Sequence, residues 1–90
     1  MLKHIDISVS GKVQGVFFRQ SAKGEAEGLG LVGYAKNMDD GTVYIEAEGE
    51  RDSLKKFVDW CRLGPLHAKV VDVTAQEAHE LKNFKGFVIK

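Results

Sequence analysis

Within ninety residues the spacing of apolar side chains switches from every second residue to every third or fourth and back, twice over. That switching limits the chain to folds in which helices are interleaved with strands. Ile5, Ile7 and Val9 alternate with Asp6, Ser8 and Ser10, the pattern of a half-buried strand. Phe18, Ala22 and Ala26 recur at helical spacing, with Leu29 one turn further on, and Gly28 and Gly30 weaken and end that helix. Val32, Tyr34 and Lys36 alternate with Gly33, Ala35 and Asn37 as a second strand, and Asp39-Asp40-Gly41 signals a hairpin. Val43, Ile45 and Ala47 alternate with Tyr44, Glu46 and Glu48 in a third strand closed by Gly49.

Leu54, Phe57, Val58 and Cys61 fall on one face of a second helix, which Asp52 or Ser53 is placed to cap and Gly64-Pro65 to stop. A fourth strand is expected over Ala68 to Ala75, with Val71 and Val73 on one face, and a short last strand over Phe84 to Ile89. The order β-α-β-β-α-β plus a terminal strand predicts an α+β, ferredoxin-like split β-α-β sandwich. Its antiparallel sheet would carry both helices on one face. No linker, repeat or low-complexity tract interrupts it, so residues 1–90 read as a single domain.

Lys and Arg together number 13, as do Asp and Glu. That balance argues against a protein that grips nucleic acid by bulk charge, but it permits a local positive site. Cys61 is the only cysteine, so neither a disulfide framework nor a thiolate metal cluster is available. His4, His67 and His79 are scattered without ligand spacing, so no metal is expected. The start Met1-Leu2-Lys3-His4-Ile5-Asp6 lacks the apolar core of a signal peptide, and no run approaches the roughly 20 residues that span a membrane. The expectation is a cytoplasmic, free-standing monomer without a membrane partner.

The stretch Gly11-Lys12-Val13-Gln14-Gly15-Val16-Phe17-Phe18-Arg19 joins the first strand to the first helix. Its glycines permit a tight turn in which successive N–H groups point at one spot, and the helix adds its own free N–H groups and dipole. Arg19 falls in the first turn and supplies a planar fork for phosphate oxygens. Lys12, Arg19 and Lys23 lie between Asp6 and Glu25, with no acidic residue among them. The segment therefore reads as an anion cradle of a kind that suits a phosphate.

A β-α-β connection makes the first two strands parallel, so both C-terminal ends lie on one edge of the sheet. Arg19 follows the first end and Asn37 closes the second. With one strand between them the gap is roughly 10 Å. A long Arg side chain, one phosphate and one water would bridge it. The Asn37 amide both donates and accepts, as holding a water requires.

The chain resembles the acylphosphatase family over nearly its full length. The resemblance is carried by the Gly11–Arg19 segment, by Gly28-Leu29-Gly30-Leu31-Val32-Gly33-Tyr34-Ala35-Lys36-Asn37, by Asp40-Gly41-Thr42-Val43, and by Gly64-Pro65 with Ala68 and Val70. It implies a metal-free, cofactor-free enzyme that hydrolyses the carboxyl–phosphate bond of a small-molecule acyl phosphate. It further implies that Arg19 and the backbone N–H groups of Gln14, Gly15, Val16, Phe17 and Phe18 bind the phosphoryl group, and that Asn37 orients the attacking water. Leu66 stands where relatives often have a second proline, and Ala35 and Lys36 vary the usual strand. These departures leave substrate preference open.

The chemistry agrees with the resemblance. A carboxylate leaves readily, so such a reaction needs neutralised phosphoryl oxygens and an in-line water more than acid catalysis. Asp39 and Asp40 are near in sequence, but a hairpin tip accounts for them, and the water would give its proton to the substrate phosphate. Cys61 reads as a core residue and Lys55-Lys56 as a solvated face. Two other functions fit parts of the chain. Lys85-Gly86-Phe87-Val88 matches part of the signature of RNA-binding modules of the same fold, but it lies on the wrong strand, and Glu46 and Glu48 on the third strand would repel phosphates. A phosphate-sensing or carbamoyl-phosphate-handling domain of a larger assembly would share the cradle.

Overall fold

The computed structural model describes residues 1–90. Its elements are β1 (Leu2–Lys12), α1 (Phe18–Gly28), β2 (Val32–Asn37), β3 (Val43–Glu50), α2 (Arg51–Leu63), β4 (Lys69–Ala78) and β5 (Phe87–Ile89). The strands form one sheet in the order β4-β1-β3-β2-β5. β3 pairs antiparallel with both β1 and β2, so those two run the same way on either side of it. The split β-α-β arrangement is present as expected. The sheet is mixed rather than wholly antiparallel, because β5 joins the edge parallel to β2.

Period-two alternation sorts each strand into two faces. Ile5, Ile7, Val9, Ala35, Val43, Ile45 and Ala47 are buried on the inner face, against Phe18, Ala22 and Ala26 of α1 and Leu54, Phe57 and Cys61 of α2. Each large side chain buried there, such as Ile7 or Phe57, contributes about 1.5–3 kcal/mol by leaving water. Burial pushes the Cys61 thiol up to about 12, so it is an inert core group as the sequence suggested.

Three local expectations change. β3 runs into α2 without a loop, so Glu50 is the N-cap and no side chain caps the helix. Asp52 sits within the first turn instead. Val71 does not share a face with Val73: it is 80% exposed, whereas Val73 is buried. The cause is a bulge, since Ser10 pairs with Asp72 but Gly11 pairs with Val70, which leaves Val71 as the extra residue. Gly11 is required there. Its φ is 121°, and a Cβ would lie 2.2 Å from the Lys69 carbonyl oxygen. Finally, the last strand begins only at Phe87, because the residues before it do other work.

Those residues, 79–86, carry the chain from the β4 edge to the opposite edge across the outer face. Beneath them lie His4, Glu46 and Glu48, all buried. His4 faces Glu48 and Asp6 faces Glu46 across the β1–β3 ladder. Opposed carboxylates repel unless a cation lies between them. Here His4 Nε2 lies 2.9 Å from Asp6 and 3.2 Å from Glu46, His4 Nδ1 is 2.7 Å from Glu48, and Lys82 Nζ is 2.8 Å from Glu46. Tyr34 donates its hydroxyl to Glu46. Glu48 accepts the backbone N–H groups of Lys82 and of Asn83, the latter at 2.9 Å. Phe84 stacks on His4, with ring centroids 6.0 Å apart. The glutamates therefore anchor the crossing segment.

Burial alone would push the His4 imidazole down. Hydrogen bonds to Glu48 and Asp6, with their charges, outweigh it, and the net shift is up from the usual 6.5. Burial works against Glu46 and Glu48 as carboxylates too, yet hydrogen bonds from Lys82 and Tyr34 to the first, and from Lys82 and His4 to the second, hold both below the ordinary value. The His4 contribution is fully present below about pH 6.5 and is lost as pH rises through the raised folded value. In urea unfolding, His4→Gln is expected to be less stable than wild type at about pH 6, with the gap narrowing by about pH 9. A gap that stays constant over that range would contradict a charged His4.

Candidate active site

The loop after β1 is built by side chains that face away from it. Val16 and Phe18 are buried, and the Phe18 ring packs on Trp60 at a centroid distance of 5.4 Å. The chain turns between these anchors through Gly15 at φ 75° and Phe17 at φ 62°, both left-handed. For a bulky residue such as Phe17 that conformation costs about 1–3 kcal/mol, and the flanking anchors impose it.

The outcome of this folding is a run of free donors. The first hydrogen bond into α1 is Ser21 N–H to the Phe17 carbonyl, at 3.0 Å. The N–H groups of Phe18, Arg19 and Gln20 thus have no intrahelical acceptor. Those of Gln14, Gly15, Val16 and Phe17 donate to no backbone or side-chain acceptor either. No acidic side chain occupies the first turn of α1.

A cavity of about 340 Å³ opens beside this loop, lined by Val13, Gly15, Phe17, Arg19, Gln20, Asn37 and Ile89. Arg19 and Asn37, selected from sequence as partners across one strand, thus meet at one site. Arg19 Nη1 donates to the Lys90 carbonyl oxygen at 2.9 Å, which steadies the guanidinium and leaves its other N–H groups for a ligand. Asn37 ends β2 with its side chain on the inner-face register of Ala35. The Gln14 side chain takes no part in the cavity lining. Its amide donates to the carbonyls of Met38 (2.8 Å) and Thr42 (3.0 Å), tying the loop to the β2–β3 hairpin, so only its backbone N–H is available to a ligand. The Val16 and Phe18 side chains likewise serve the core, and their N–H groups alone belong to the loop.

No carboxylate lines the cavity. Asp40 is spent on the hairpin, where it accepts the Thr42 N–H at 3.0 Å and hydroxyl at 2.7 Å, and those bonds hold its carboxyl below the usual range. The donor atoms of His4, Asp6 and Glu46 lie within 4.8 Å of one another, a grouping that sequence spacing did not reveal. It sits on the outer sheet face, away from the cavity, with the Lys82 ammonium already against Glu46 at 2.8 Å. Sequence reading also missed Gln20, Ile89 and the Lys90 carbonyl. Ile89 arrives opposite Ala35 through the parallel β2–β5 pairing, and the Lys90 N–H donates to the Ala35 carbonyl at 2.9 Å.

Residues 5–89 match the family model for acylphosphatase. The chain belongs to the acylphosphatase family. Among its relatives, an acylphosphatase from Marinobacter nauticus is 48% identical over 79 residues, which span 88% of this chain and 86% of that one. The crystal structure of the acylphosphatase from Bacillus subtilis superposes with a TM-score of 0.95 at 40% identity, covering 100% of this chain and 99% of that one. A full-length HypF, solved in a phosphate- and nucleotide-bound form, matches at 30% identity and a TM-score of 0.91. It contains the whole of this chain's fold in 12% of its own length. Within the acylphosphatase fold, Gln14→Ala would release the loop from the hairpin. A loss of phosphate affinity of up to about 30-fold is expected, from two hydrogen bonds of about 1 kcal/mol each, checked by competitive inhibition. Unchanged inhibition by phosphate would show that the tie does not order the loop.

Proposed function

We propose that this acylphosphatase hydrolyses acyl phosphates to carboxylate and inorganic phosphate with Arg19 and Asn37 as its catalytic residues, and that the backbone N–H groups of Gln14, Gly15, Val16, Phe17 and Phe18 cradle the phosphoryl group together with Arg19. The observation that carries the reading is the run of unpaired loop N–H groups beside Arg19, in the cavity that Asn37 also lines. Donors fixed in advance stabilise the charge on the phosphoryl oxygens without reorganising during the reaction. The water oxygen attacks phosphorus, and the bond from phosphorus to the acyl oxygen breaks, its electron pair leaving on the carboxylate. With no carboxylate in the cavity, the water's proton passes to a non-bridging oxygen of the substrate phosphate. The scheme calls for no metal and no cofactor.

The working unit is taken to be a monomer in the cytoplasm. A lone, buried Cys61 suits a reducing compartment. No helix is long and apolar enough to cross a membrane. The partner is a small-molecule acyl phosphate rather than nucleic acid, consistent with the balanced charge.

The test is steady-state hydrolysis of acetyl phosphate in excess chelator, with inorganic phosphate as competitive inhibitor. Arg19→Ala and Arg19→Lys are expected to lose both turnover and phosphate binding, since an ammonium cannot replace the two-pronged fork. Asn37→Ala is expected to lower kcat about 100-fold with phosphate affinity near wild type, the scale of removing one positioned polar group. Retained phosphate affinity in either Arg19 variant would count against the cradle, and equal loss of binding and rate in Asn37→Ala would make Asn37 a phosphate ligand instead. The HypF likeness favours a second reading, a phosphate-handling domain of a larger enzyme, which phosphate binding without any turnover would support.

A further inference from the structure

We propose that Lys23 is a positioning residue for Arg19: its ammonium fastens β5 to α1 and so holds the Lys90 carbonyl where the Arg19 guanidinium rests on it. The inference rests on the acylphosphatase reading, because it assigns a residue that acts through Arg19 on the phosphoryl group.

Of the three cations between Asp6 and Glu25, only Arg19 lines the cavity. Lys23 stands one turn further along α1, and at this i, i+4 spacing the two side chains share one face of the helix. Both donate to the backbone at the end of the chain. Arg19 Nη1 donates to the Lys90 carbonyl at 2.9 Å, and Lys23 Nζ donates to the Phe87 carbonyl at 2.6 Å. Lys23 also pairs with Glu27 at 3.2 Å, but with side chains 40% and 54% exposed that pair contributes little by itself. The bond to Phe87 is the one with a structural consequence.

β5 depends on other elements for its place. It is a three-residue strand at the edge of the sheet, paired with β2 alone, and so short a pairing is marginal without further support. The Gly86 carbonyl and the Lys90 N–H are turned toward β2, where they bond Gly33 at 2.8 Å and Ala35 at 2.9 Å. Backbone groups alternate sides along a strand, so the Phe87 carbonyl is directed to the open edge, and Lys23 meets it there. The Phe87 ring is buried and packs edge-on against Phe57 at 6.0 Å, whereas Val88 and Ile89 are exposed. Lys23 therefore grips β5 at its one core residue, and Arg19 grips the chain three residues later. Loosening the first contact loosens the second. The guanidinium then has more orientations to lose when an anion binds, and a planar fork works only when it is aligned. Lys23 is outside the cavity lining, so this is its route to the phosphoryl group.

The experiment measures inhibition of acetyl phosphate hydrolysis by inorganic phosphate, together with kcat/KM and the melting temperature, in the wild type, Lys23→Met and Lys23→Arg. Each is measured at low ionic strength and in about 1 M KCl, where charges are screened beyond about 3 Å. Methionine keeps a long apolar stem and a good helix propensity, so Lys23→Met removes chiefly the ammonium. It is expected to weaken phosphate inhibition about fivefold, the scale of one hydrogen bond, because the Lys90 N–H still tethers the strand to Ala35. kcat/KM should fall with it, and the deficit relative to wild type should be the same at both salt concentrations. Lys23→Arg can donate to the same carbonyl and should come back to within about twofold of wild type. A folded Lys23→Met with a lowered melting temperature and unchanged phosphate inhibition would show a merely structural role and overturn the proposal. So would a deficit that vanishes at high salt, the mark of a charge acting through space, or a Lys23→Arg as weak as Lys23→Met. A wild type that phosphate does not inhibit would overturn the cradle itself, and the role of Lys23 with it.

Discussion

Strand β3 separates β1 from β2, and that separation sets the width of the cavity. Because β3 is antiparallel to both, their C-terminal ends emerge on the same edge of the sheet, two strand spacings apart. Two spacings are roughly 10 Å, enough for a phosphate and a water between an arginine and an amide. Adjacent strands would leave room for neither. The loop at the first end carries unpaired N–H groups, and the second end carries Asn37. Gln14 spans the gap and fixes one against the other through the hairpin carbonyls.

The outer face serves the same site from a distance. β5 reaches the β2 edge only because residues 79–86 cross the whole sheet, and Glu48 receives the backbone of that crossing at Lys82 and Asn83. Two buried glutamates are tolerable there because His4 and Lys82 bring compensating charge. β5 in turn places Ile89 at the cavity and the Lys90 carbonyl on Arg19. The surface that an RNA-binding module of this fold would expose on its central strands is here occupied by this cluster, and Phe84 lies over His4 and against Tyr34. Glu46 and Glu48, read from sequence as repelling phosphates, act instead as buried anchors.

What was legible in the sequence follows from periodicity and local turn chemistry. Ile5, Ile7 and Val9, and the Leu54–Phe57–Cys61 face, announce their burial by spacing alone, and Asp39-Asp40-Gly41 announces the hairpin. The order of elements implied that Arg19 and Asn37 would share an edge, and both line the cavity. What was hidden depends on partners distant in the chain. The bulge that exposes Val71 exists only in the pairing with Gly11, and the three-residue β5 is defined by β2. His4 carries no periodic signal for carboxylates 42 and 44 residues away. The left-handed Phe17 is imposed by its neighbours' burial and not by any preference of phenylalanine.

Whether an anion is held by the backbone of one loop is tested most directly by amide NMR during titration with inorganic phosphate. The account predicts that the largest and saturable shifts fall on the N–H groups of residues 14–20, with the Asn37 side-chain amide following. The outer-face amides of Lys82 and Asn83, already bonded to Glu48, should stay still. Shifts spread over the basic surface, or absent from residues 14–20, would contradict it.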